Sequence, residues 1–122
     1  MNAALPVETQ EVLSEATRRA ACNLGLSGAA LARVIGLSES IVSRLGRGKR
    51  DLSPVSEEGQ LAVLLVRLFR SLDATVGNDP GSVIAWMSSP NRALNGIPRE
   101  LIQSPQGLVT TLQYVDAMQA TP

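Results

Sequence analysis

Apolar residues recur along this chain at intervals of three and four, the period of a helix that buries one side. Leu13, Ala16, Ala20 and Leu24 place one apolar face on a first helix, which Pro6 and the acidic turn Glu8 to Glu11 open and Gly25 closes. Ser53-Pro54, a capping side chain ahead of a proline, with Glu57 and Glu58 soon after, predicts a second long helix running to about Val76. Its middle, Leu61 to Phe69, is apolar nearly all round, leaving a narrow polar stripe through Gln60, Arg67 and Ser71. Such a helix must be covered on more than one side, by the N-terminal unit on one flank and by the C-terminal segment or a second subunit on the other. Gly77 to Gly81 breaks the chain, and a short helix through Val83, Ile84, Trp86 and Met87 stops at Ser88 to Asn91. Pro98 opens another with Leu101 and Ile102, and Ser104-Pro105 starts the last, through Leu108, Leu112, Val115 and Met118.

Between the first two long helices lie two short amphipathic segments with the spacing of a helix-turn-helix. Two helices that cross steeply need a small residue where they touch, and Ala32 stands there. Gly36, four residues on, supplies a turn position tolerant of positive φ. Val42 and Leu45, one helical turn apart, form the apolar stripe by which the second helix packs on the first. Its opposite face carries Ser40, Ser43, Arg44 and Arg47. In a DNA-binding unit that face enters the major groove, with Arg44 reading a guanine edge. With Gly46 and Gly48 ending the helix, Arg47, Lys49 and Arg50 fall on the trailing loop, where cations hold phosphates rather than read bases. The same spacing also serves plain packing modules.

The predicted fold is therefore all-α: an N-terminal helix-turn-helix unit (1–52), a central helix suited to dimerisation (53–79) and a small C-terminal helical domain (80–122). Net charge is zero, which would argue against nucleic acid if charge were evenly spread. It is not: from Arg18 to Arg50 there are seven basic residues (Arg18, Arg19, Arg33, Arg44, Arg47, Lys49, Arg50) against Glu39 alone. The single cysteine, Cys22, permits no intramolecular disulfide and suits a reducing cytoplasm. No apolar run is long enough to span a bilayer. Histidine is absent, and no nucleophile with a base, carboxylate pair, metal-ligand cluster or phosphate-cradling loop is legible, so neither catalysis nor a cofactor is expected.

Residues 84–115 resemble the toxin-binding domain of the Xre/MbcA/ParS-type antitoxins. The matching pattern is Trp86, the Pro90-Asn91 step, Leu94, Gly96, Pro98, Leu101-Ile102, Gly107 and an aliphatic residue at Val115. An Xre-like helix-turn-helix upstream is the arrangement such antitoxins show. The resemblance implies a bacterial type II antitoxin that binds a RES-domain toxin, covers its NAD pocket and represses its own operon; a dimer is expected separately, because one helix-turn-helix offers only a few base contacts. Toxins of that family consume NAD or modify proteins with ADP-ribose. It also implies a toxin-facing surface drawn from Pro90, Asn91, Arg92, Tyr114, Asp116, Met118, Gln119, Ala120, Thr121 and Pro122. The family often has a second glycine before Gly96, where this chain has Asn95.

Within that region Trp86, Leu94 and Leu101 are expected in the core, and Pro90, Asn91 and Gly96 in a turn. Leu108, Leu112 and Val115 are expected to anchor the last helix, leaving Met118 to Pro122 to project. The alternative reading is a stand-alone repressor whose C-terminal helices only dimerise it or sense a ligand.

Overall fold

The computed structural model describes residues 7–120, and the structural statements below concern those residues. Pro6, Thr121, Pro122 and the side chain of Glu8, which have roles in the reading above, lie outside them. The described chain forms seven helices and no strand, only an isolated bridge between Asn91 and Gly96.

Helix α1 (Val7–Asn23) buries Leu13 and Ala20, with Leu24 buried just past its end, as expected, but Ala16 is only half-buried. Its core face also takes in two hydroxyls, Ser14 and Thr17. Each is satisfied inside the helix: Ser14 Oγ donates to the Gln10 carbonyl at 2.8 Å, and Thr17 Oγ1 to that of Leu13 at 2.7 Å. Ser14 Oγ also accepts the Leu52 amide at 2.7 Å, which fixes the chain where it leaves the helix-turn-helix and buries Leu52. Past Gly25, the Leu26 amide reaches back to the Ala21 carbonyl and closes α1.

Ser27 caps α2 (Gly28–Ile35) and Ser38 caps α3 (Glu39–Gly46), each accepting a backbone amide three residues on. Between them Gly36 has φ +76°, and both Gly36 and Leu37 donate to the Ala32 carbonyl. Ala32, Val42 and Leu45 are buried, as the helix crossing requires.

Helix α4 (Glu57–Thr75) starts one turn later than Ser53-Pro54 predicts. The cap is Ser56, whose hydroxyl accepts the Gly59 amide at 3.0 Å and donates to the Ser53 carbonyl at 2.7 Å. That carbonyl lies on Gly59 so closely that a Cβ there would overlap it. The chain thus spends residues 53–56 on a turn before the helix can begin. Ala62, Leu65, Leu68 and Leu72 are fully buried along α4, each large side chain stabilising by about 1.5–3 kcal/mol. The helix packs on α1 and α2 on one flank and on α7 (Pro105–Ala120) on the other, so the C-terminal segment supplies the second cover. Ser71 is buried against α7 and not part of an exposed polar stripe.

Helices α5 (Pro80–Ser88) and α6 (Pro98–Leu101) close the end of the bundle, α5 touching α1, α4 and α6. Val83, Met87 and Ile102 are fully buried and join Leu108, Leu112 and Val115 in one core continuous with that of the N-terminal helices. Trp86 packs against this core while staying half-buried, whereas Leu94 and Leu101, expected in the interior, are half-buried outside it.

Candidate functional site

Helix α3 turns its polar face to the side away from Val42 and Leu45. Ser40, Ser43, Arg44 and Arg47 are all exposed there, at i, i+3, i+4 and i+7. As expected, Gly46 is the last residue of the helix. Arg47 follows as its cap, its amide returning to the Ser43 and Arg44 carbonyls at 3.2 Å, and Gly48, φ +71°, turns the chain so that the Lys49 amide also reaches the Arg44 carbonyl at 2.8 Å. From there Arg47 Nη1 donates to Ser43 Oγ at 3.1 Å, and Ser40 Oγ lies 3.2 Å from Ser38 Oγ.

The basic block sorts into two groups in three dimensions. Arg18 and Arg19 both pair with Glu15, and Arg50 faces Glu58 at 3.9 Å, so each of the three has a carboxylate beside it. Arg18 also donates from Nη1 to the Gly46 carbonyl at 3.2 Å, placing a cation at the negative end of α3. Arg33 Nε donates to Gln103 Oε1 at 2.6 Å, linking α2 to the C-terminal region. Arg44, Arg47 and Lys49 remain exposed with no carboxylate partner among the described residues. Their uncompensated charge makes one positive patch on α3, although the chain as a whole is neutral.

The second site surrounds Trp86. Val76, Ala85, Trp86, Ser89, Pro90 and Asn91 line a shallow concavity of about 360 Å³ between the end of α4, α5 and the following loop. Asn91 shapes that loop: its backbone exchanges hydrogen bonds with Gly96 at 2.8 and 3.2 Å, and its Oδ1 accepts the Leu94 amide at 3.0 Å. Asn95 has φ +62°, a left-handed conformation that glycine adopts freely and asparagine tolerates. The departure from a second glycine therefore keeps the turn. Pro90 and Arg92 are exposed, and the Trp86 ring stacks on Tyr114 of α7 with centroids 6.5 Å apart. Trp86 is thus what joins Pro90 and Asn91 to Tyr114, a role that apolar periodicity does not distinguish from core packing.

The end of α7 behaves differently from expectation. It does not project beyond Val115: the helix runs to Ala120, and Met118 packs on the core. Asp116 pairs with Arg67 at 3.6 Å and accepts the Ser71 hydroxyl at 2.7 Å. Gln119 lies 2.7 Å from the same hydroxyl, which has one hydrogen to give. With the amide turned to donate its N–H to Ser71 Oγ, all three groups are satisfied. Asp116, Met118 and Gln119 therefore fasten α7 to α4, while Ala120 is exposed at the last described turn.

Among the described residues no group of three Cys, Asp or Glu stands close enough to hold a metal, and no helix is long and apolar enough to cross a membrane. Two family models match the chain. That of the antitoxin Xre-like helix-turn-helix domain covers residues 3–67, and that of the antitoxin Xre/MbcA/ParS C-terminal toxin-binding domain covers residues 71–120. No curated protein matches it.

Proposed function

Because the chain belongs to the Xre/MbcA/ParS-type antitoxins, with a DNA-binding helix-turn-helix and a toxin-binding domain, we propose that its toxin is a RES-domain protein that consumes NAD. As a homodimer in the cytoplasm it represses its own operon. The RES assignment rests on the resemblance of residues 84–115. One observation carries the dual role: the positive patch on α3 and the concavity at Trp86 stand on separate elements of one continuous core. Both ligands then bind without either site being rebuilt. Co-expression with a RES-domain toxin tests the pairing, the expected result being restored growth and co-purification. Continued toxicity with no complex would leave a stand-alone repressor.

At the operator, Arg44→Ala is expected to cost about 1–3 kcal/mol and relax base preference, since its side chain is exposed with no carboxylate partner among the described residues. Lys49→Ala weakens binding to all sequences and lowers the salt slope by about one unit. Arg50→Ala does less, because Glu58 already holds that side chain. Gel shifts across salt concentrations read all three, and unchanged binding in both the Arg44 and Lys49 variants would remove this face from the interface.

The purified antitoxin is expected to leave NAD intact, since it offers neither histidine nor a nucleophile with a base. NAD loss that follows this chain through purification, with no toxin present, would overturn that expectation.

A further inference from the structure

On α1, the residues Thr17, Arg18 and Ala21 face α3. A different flank of the same helix, through Val12, Ala16 and Arg19, forms one wall of an open groove whose other wall is α4. The groove holds about 760 Å³, and its surface is mainly apolar: Val12, Ala16, Val66 and Phe69. Val12 is 67% exposed, and Phe69, the chain's single phenylalanine, is covered only in part. Val63, one turn before Val66 on α4, is 37% exposed and extends the apolar surface.

The two walls carry opposite charges that nothing in the described chain neutralises. Glu11 stands on α1 and Arg70 on α4, and neither has an ion-pair partner among the described residues, although nearby Glu15 is engaged by Arg18 and Arg19. The surface that fits such a groove is apolar at its centre with one acidic and one basic margin. The groove itself has that composition. A twofold axis running along the groove sets the α1 wall of each copy, with Glu11, against the α4 wall of the other, with Arg70, so that every favourable contact is made twice. We infer that two copies of this chain associate through the α1–α4 groove. No residue of α3 and none of the Trp86 concavity belongs to it, so the dimer leaves both ligand-binding faces open. The inference rests on the homodimer of the proposed function and adds the surface that makes it.

Sedimentation of the full chain tests the surface. Val12→Arg changes an exposed position and is expected to give a folded monomer, with helical circular dichroism retained. Glu11→Arg alone and Arg70→Glu alone each raise the dimer dissociation constant by about tenfold or more, because symmetry makes each like-charge contact appear twice. The double variant Glu11→Arg, Arg70→Glu recovers most of that loss, which a merely unfolding substitution cannot do. A wild-type chain that stays monomeric overturns the inference and the homodimer together. A dimer that none of these variants weakens overturns the groove alone. Val12→Arg that remains dimeric but no longer captures toxin overturns it too, by assigning the groove to the toxin.

Discussion

Gly59→Ala and Gly107→Ala are expected to cost about 3–5 kcal/mol each, whereas Gly46→Ala, the same chemical change within a helix, stabilises by about 0.5–1 kcal/mol. Helices α4 and α7 begin with one local device. A serine caps each helix and accepts the amide three residues on, Ser56 from Gly59 and Ser104 from Gly107. The carbonyl three residues before each cap, that of Ser53 or Leu101, lies directly on the glycine, and a Cβ at either position would overlap it. Relief requires moving backbone, which would disturb the start of the two helices that pack most closely together. At Gly46 a Cβ meets nothing, so only the helix preference of alanine acts. For a domain of this size the two costly variants lower the unfolding midpoint by roughly 10–20 °C. Small gains at all three positions in a thermal scan would mean that the carbonyls do not approach these glycines in solution.

Ending the chain at Val115 is expected to abolish toxin neutralisation and spare operator binding. The truncation removes the half-buried Met118 and the contacts of Asp116 and Gln119 with Arg67 and Ser71. Those losses come to about 2 kcal/mol, one from apolar burial and one from polar contacts that are partly exposed, which a folded domain of this size survives. The elements that meet DNA lie elsewhere. What changes is the support of Tyr114, now one residue from a frayed end, and with it the stack on Trp86 that backs the Pro90 concavity. Full-length Arg67→Ala, Ser71→Ala separates support from direct contact. It loosens the same helix end with every tail residue present, and is expected to weaken neutralisation in part. If the truncated chain rescues cells as well as the full one, the end of α7 has no part in inhibition and the surface from Pro90 to Pro98 acts without it.

Much of the fold was legible because local rules and burial agree. The helix-turn-helix could be placed to the residue, since a small residue at the crossing, a glycine in the turn and an i, i+3 apolar pair are each demanded by geometry at a known offset. The start of α4 was misread because Ser53-Pro54 and Ser56 are both acceptable caps. The choice between them depends on where the Ser53 carbonyl can go, and only the packing on Gly59 determines that.

The candidate sites divide in the same way. That α3 carries a polar, cationic face follows from helical period alone, as does the all-α architecture with α4 needing cover on two flanks. Which cations stay unpaired was only partly legible: the i, i+3 and i, i+4 spacing of Glu15 with Arg18 and Arg19 is a helical rule, whereas Glu58 meets Arg50 from a different element, which no spacing rule encodes. Trp86 read as core because an aromatic at helical spacing looks the same to periodicity whether it is enclosed or half-covered; α5 lies at the end of the bundle, so one side of the ring stays open. The tail from Met118 read as free because it shows no core face of its own, and the partner of Gln119, Ser71, is forty-eight residues away in the chain. Periodicity records which side of each helix avoids water; which polar groups meet depends on how those helices are set against one another, and that is decided only when the core closes.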